Sequence, residues 1–229
     1  MSKYLLRFNK KGNMRFLSHL DLGRLFRRAI KKAEIDVLYS NGFNPHERIN
    51  IVQPLSLGFE SESEYFEIST GKEYAPDDLL SLLNASMPEG IGFYSCKEID
   101  DKISNVSKLT DAARYVISYP LNAVDFERIN IDDFLNQNDI VVMKRDKKTK
   151  SMVEKSVKSF VYSILKNDEQ KTIYMLLRCA SNETLNPINL LESLFRFSNI
   201  EFKSENARVT RIDLYTIVDR EFVSLSELV

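Results

Sequence analysis

Two cysteines are all that this 229-residue chain contains. Cys96 and Cys179 lie far apart and have no C-x-x-C spacing, which argues against a metal cluster, a structural zinc or a redox pair held by this chain alone. Both are expected to be reduced and partly buried. No apolar run approaches the roughly 18–20 residues that a membrane span requires. The start, MSKYLLRFNKK, reaches charge too soon for the apolar region of a signal peptide. The expected location is the cytoplasm. A Gly-rich phosphate loop, a Walker motif and a Ser/His/Asp spacing are also absent. His19 and His46 are the only histidines, half of a metal site at best, and Asp21 or Glu47 would have to complete it. No metal and no other cofactor is expected.

What is present describes an ordinary globular protein, 43% hydrophobic and 28% charged, so neither disorder nor a fibrous repeat is expected. The length suits one large domain or two small ones. The net charge of −1 conceals an asymmetry: residues 1–50 hold eleven Lys/Arg against four acids, a net +7, and the remainder sums to −8. A basic end on an acidic body is usually a surface for a phosphate-bearing partner, although docking to an acidic protein would give the same split.

Alternation of Tyr4, Leu6 and Phe8 with Leu5, Arg7 and Asn9 predicts a first strand. Ser18 is a good N-cap with Asp21 three residues on, and Leu22, Leu25, Phe26, Ala29, Ile30 and Ala33 form an apolar stripe to about Glu34. Strands are expected at Ile49–Gln53 and Glu64–Thr70, a helix opens at Pro76-Asp77-Asp78, and Ile91–Ile99 is a further strand. This β-α-β-β-α-β order is that of a ferredoxin-like domain. Beyond the polar stretch 101–111 the pattern is repeated: strands at Arg114–Tyr119, Ile140–Lys144, within Val153–Leu165, at Thr172–Ala180 and Arg208–Val218, with helices at Asp132–Gln137 and Pro187–Phe197. The expected fold is therefore α+β, two tandem ferredoxin-like (βαββαβ) halves with antiparallel sheets. Residues 1–100 and 112–229 would form the two domains, and 101–111 the linker. A basic tract within 145–158 reads as an exposed hairpin tip.

The chemistry-bearing residues concentrate between Met14 and Arg48. Arg24, Arg27, Arg28, Lys31 and Lys32 fall outside the apolar stripe, either as a solvated helix face or as a basic surface. Directly after them comes Tyr39-Ser40-Asn41-Gly42-Phe43-Asn44-Pro45-His46, a loop enforced by Asn-Gly and Asn-Pro that mixes aromatic and polar groups. Tyr39 and Phe43 can stack on bases or pack against the helix. A helix N-terminus attracts anions, and Arg15 and Arg24 would reinforce that at Ser18 and His19. The candidate binding residues are Arg15, Ser18, His19, Asp21, Arg24, Arg28, Lys31, Tyr39, Ser40, Gly42, Phe43, Asn44, Pro45 and His46. His19 and His46 are weak candidates for catalysis.

The runs RFLSHLDLGRLFRRAIKKAEI, YSNGFNPHERI and PLSLGFESESEYFEI resemble the radical-SAM-linked proteins of unknown function, over roughly residues 3–70. The resemblance implies association with a radical-SAM enzyme, one acting on RNA among the options, and it brings no established catalytic residues. The C-x3-C-x2-C motif of the radical-SAM module is absent, so the chain looks like the accessory part without the enzyme part. Three readings follow. The first is an accessory, RNA-binding recognition module working with a separate radical-SAM protein and doing no chemistry alone. The second is a metal-independent RNA-processing enzyme with His19 or His46 as base or acid. The third is a protein-docking adaptor.

Overall fold

The computed structural model describes residues 1–228 apart from 101, 102, 104, 121–123 and 147–148. Parts of the expected 101–111 linker and of the basic tract at 145–158 therefore lie outside the described residues. In chain order the first elements are β1 (Ser2–Lys10), α1 (His19–Lys32), β2 (Ile49–Ile51), β3 (Glu60–Thr70), α2 (Pro76–Asn84) and β4 (Ile91–Ile99). There follow β5 (Ala112–Ser118), α3 (Ile131–Asn136), β6 (Val141–Arg145), β7 (Met152–Ser156), β8 (Val161–Asn167), β9 (Thr172–Arg178) and α4 (Pro187–Phe197). The chain closes with β10 (Arg208–Val218), β11 (Glu221–Ser224) and α5 (Leu225–Leu228). The protein is mixed α+β, with mainly antiparallel strand pairing and five helices among the described residues. These elements form two compact units, residues 1–111 with 211–229, and residues 112–210.

In the first unit β1 is flanked by β4 and β3, and β2 pairs with β3, all antiparallel. Alternation along each strand sends successive side chains to opposite faces. Tyr4, Leu6 and Phe8 of β1 and Phe66 and Ile68 of β3 point to one face, where α1 contributes Leu22, Phe26, Ala29 and Ile30 and α2 contributes Leu79 and Leu83. Phe26 is the hub, with its ring centroid 5.1 Å from Phe8, 4.9 Å from Phe66 and 5.1 Å from Phe93. Edge-to-face and tilted contacts of this kind add about 0.5–1.5 kcal/mol each to the area buried.

Helix α1 starts where Ser18 Oγ accepts from Asp21 N–H at 3.2 Å, and it ends in a last turn carrying Lys31 and Lys32, favourable for the dipole. Ile35 N–H reaches back to Ile30 C=O and Glu34 takes a φ of +50°, the left-handed residue of a Schellman ending. The opposite sheet face is also closed, but by polar groups. Asp213 on β10 accepts from Tyr65 Oη (2.7 Å), Ser63 Oγ (3.0 Å) and Ser224 Oγ (2.8 Å). Burial, more than the Asp213 charge, pushes the Tyr65 hydroxyl up to about 12. Lys3 pairs with Glu67 at 2.9 Å, and Asn50 Nδ2 donates to the same carboxylate.

The second unit pairs β5 with β9 and β9 with β8, antiparallel, and sets β6 and β7 as a separate hairpin. Helix α4 opens with Asn186 as its cap and Pro187 at its first turn, and buries Leu190, Leu191, Leu194 and Phe195. Ser193 Oγ donates to Val141 C=O at 2.7 Å, tying α4 to β6.

Candidate site around helix α1

The turn before α1 is held from below. Lys10 is buried at the end of β1, and its Nζ donates to the carbonyls of Leu17 (2.8 Å) and Arg15 (3.3 Å). Burial lowers this ammonium below its usual range; nearby Glu64 opposes the shift and Arg211 adds to it. Glu64, on β3, takes a bidentate contact from the Arg211 guanidinium, with Nε to Oε1 at 2.7 Å and a second bond to Oε2. The same guanidinium donates to the carbonyls of Gln53 (2.9 Å) and Pro54 (3.3 Å). Both side chains are almost completely enclosed, at 1% and 2% exposure. A buried ion pair of this geometry survives because its remaining donors find carbonyls.

His19 occupies the first helical position directly above this cluster, half-buried. Burial pushes its imidazole below the ordinary value of 6.5; Glu64 opposes the shift, and Arg211 and Lys10 reinforce it. The ring lines a cleft of about 220 Å³ between the N-terminal half of α1 and β2, walled also by Gly23, Arg27, Ile51 and Phe66. A second, wider groove of about 550 Å³ runs along the other end of the helix, lined by Arg27, Arg28, Lys31, Tyr39 and Glu47 together with Glu34 and Asp36. Arg27 belongs to both, its Nε 3.4 Å from Glu47 Oε2.

The residues singled out from the sequence divide among these places. Ser18 and Asp21 form the helix cap, with Ser18 Oγ 2.7 Å from the Asp21 carboxylate and Arg24 bonded to that carboxylate at 2.8 Å. The Ser18 and Arg24 hydrogen bonds hold the Asp21 carboxyl below its usual range. Arg15 lies 3.9 Å from Glu60 and stacks on Phe16, its guanidinium 4.7 Å from the ring centroid. Arg28, Lys31 and Tyr39 line the wide groove. Ser40 pinches the following loop shut, its N–H donating to His46 C=O (2.8 Å) and its Oγ accepting from His46 N–H (3.0 Å). Between those two residues Gly42 adopts a φ of +127°, and Asn44, Pro45 and the fully exposed Phe43 ring project into solvent. Phe43 therefore does not pack on the helix. His46 is exposed and lines neither cleft, so the two histidines occupy different settings. Asp21 is engaged with Ser18 and Arg24, and Glu47 with Arg27. No group of three His, Cys, Asp or Glu placed to hold a metal is found among the described residues.

Lys10, Glu64, Arg211 and Gly23 are neighbours of the candidate site that the sequence pattern did not single out. The three charged residues are distant in the chain, and nothing local marks them. Gly23 did carry a signal, since glycine inside a helix costs about 1 kcal/mol relative to alanine and asks for a reason.

An α+β protein whose first helix is flanked by two clefts defines a fold and a place, and the comparisons with known proteins add a family. The chain belongs to the family described as "Uncharacterized protein conserved in bacteria (DUF2344)", which matches residues 3–187. That description names no substrate, partner or reaction. No curated protein matches the chain. No described helix is long and apolar enough to cross a membrane.

Proposed function

We propose that this protein is an accessory recognition module that binds RNA through the exposed face of α1 and the loop after it, and presents it to a separate radical-SAM enzyme. The observation that carries the RNA half is what remains after internal pairing. Lys3, Arg7, Lys11, Arg15, Arg24 and Arg27 each face a carboxylate, and Lys10 is buried. Arg28, Lys31 and Lys32 on α1, and Arg48 after the loop, form no ion pair among the described residues and stand exposed. Glu47 is held by Arg27, so Glu34 and Asp36 are the remaining acids of the wide groove. Phosphates would bind the outward rows of the helix, and Tyr39 and Phe43 supply exposed rings for base stacking. The radical-SAM half is supported by the resemblance over residues 3–70.

The same architecture supports the tandem reading. The strand order β4-β1-β3, with β2 paired to β3 and helices after β1 and β3, supports a ferredoxin-like first half. The element order β5-α3-β8-β9-α4-β10, with the β6–β7 hairpin inserted, supports a second, divergent half. The 1–100, 101–111 and 112–229 boundaries belong to this proposal.

The test is a titration of the purified chain with total RNA at several salt concentrations. Affinity should fall steeply with salt, and a chain with no salt-dependent RNA affinity would overturn the RNA reading. Copurification with a co-expressed radical-SAM protein tests the partner: recovery of a defined complex is expected, and separate elution would remove that half.

A further inference from the structure

We infer that the 220 Å³ cleft beside His19 is a subsite for one planar heteroaromatic ring, a nucleobase turned out of the bound strand. The inference rests on the RNA reading above and adds what is recognised besides phosphate.

Size comes first. Pockets for drug-sized ligands occupy about 300–1,000 Å³, so this cleft suits a single ring system rather than a larger molecule. Its walls come second. Ile49, Ile51 and Phe66 are apolar, while the His19 imidazole and the Arg27 guanidinium are flat groups on which a base can stack. Burial holds the imidazole toward its neutral form. The Arg27 guanidinium lies 3.4 Å from the Glu47 carboxylate, which biases its orientation.

The third observation is an open strand edge. Arg48 C=O accepts from Ser69 N–H and Val52 N–H donates to Tyr65 C=O, both at 3.0 Å. By antiparallel alternation the backbone groups of Ile49 and Ile51 then point away from β3. No described strand pairs with that outer edge. Ile49 N–H turns back to Glu47 C=O, leaving Ile49 C=O and both Ile51 backbone groups directed outward. An amide donor and carbonyl acceptors beside an apolar slot match the hydrogen-bonding edge of a base.

Gly23 is the fourth observation. A Cβ built there meets only the Arg27 guanidinium, at 3.4 Å. The glycine thus weakens α1 locally while leaving the cleft open, although a larger residue would fit the backbone without strain.

The experiment compares a mixed single-stranded oligoribonucleotide with an abasic ribose-phosphate oligomer of equal length. A Tyr39→Ala, Phe43→Ala protein, which lacks the exposed stacking rings, should still bind the intact strand about tenfold more tightly, one stacked base's worth. Adding Gly23→Leu to it should erase that difference, leaving the abasic affinity and the salt slope unchanged and the melting temperature no lower. Equal affinity of the Tyr39→Ala, Phe43→Ala protein for both oligomers would overturn the inference, as would a difference that survives the added Gly23→Leu. If the triple variant does not fold, the Tyr39→Ala, Phe43→Ala comparison decides alone. Tight binding of free 5′-mononucleotides at the cleft, or weak binding of them beside a strong intact strand, assigns the ring to a free nucleotide or to RNA, and both support the subsite. Failure of the native protein to bind either oligomer would instead sink the RNA reading itself.

Discussion

Two groups of basic side chains lie within one unit, and they do opposite things. Lys10 and Arg211 are enclosed, each bonded to carbonyls, and Arg211 is locked to Glu64. Arg28, Lys31 and Lys32 are exposed and form no ion pair among the described residues, and the Arg28 charge adds only a small part of what holds the Asp21 carboxyl down. Lys10 fixes the turn from which α1 starts and Arg211 the segment after β2, whereas the second group forms the face proposed for phosphate binding. Composition does not separate them, because the charge is the same and only the surroundings differ.

The sharpest way to break the contrast is to remove one partner of the buried pair. Glu64→Ala should destabilise the protein by roughly 3–5 kcal/mol, because Arg211 would be left buried and uncompensated. Chemical denaturation measures this, and replacing Glu64 and Arg211 together with apolar residues of similar volume should recover most of the loss. The helix cap is a smaller test of the same construction: Ser18→Ala should cost about 1 kcal/mol, read in the same denaturation curves.

His19 sits at the border of the two regions and reports on it through pH. Its folded pKa lies below 6.5, so above that value its contribution is complete. As pH falls below 6.5 the unfolded chain takes up a proton that the folded one resists, and stability must decline. His19→Gln should flatten the stability profile below about pH 6.5. A profile unchanged by the substitution would mean the imidazole is as free as in solvent. The exposed group gives the smallest stability effect: Arg28→Ala with Lys31→Ala should shift it by less than about 0.5 kcal/mol.

Much of this fold was legible in the residues. Ser18 with Asp21, the Leu22–Phe26–Ala29–Ile30 stripe, Pro187 at the start of α4 and the run Ile91–Ile99 each carry their element's local signature. What was not legible is non-local or polar. Strand β3 begins at Glu60, before the alternating EYFEIST run, because Ser61 and Ser63 are buried against Arg211 C=O and Asp213 rather than against apolar groups. The short β11 and α5 depend on neighbours rather than on their own pattern. The charge asymmetry was visible but misleading in extent. Glu60, Glu62 and Glu67 of β3 pair with Arg15, Lys11 and Lys3, and so answer part of the surplus counted over residues 1–50. The proposed site is accordingly narrower than the whole basic end: Arg28, Lys31, Lys32 and Arg48, two exposed rings and a cleft.

The most direct test of the account is the salt dependence of single-stranded RNA binding by the native chain and by the Arg28→Ala, Lys31→Ala double variant. Each phosphate left without its cation should remove about 0.7 from the slope of log affinity against log salt, so the double variant should be shallower by about 1.4 at nearly native stability. Identical slopes for the two proteins would contradict the assignment of phosphate binding to the exposed face of α1.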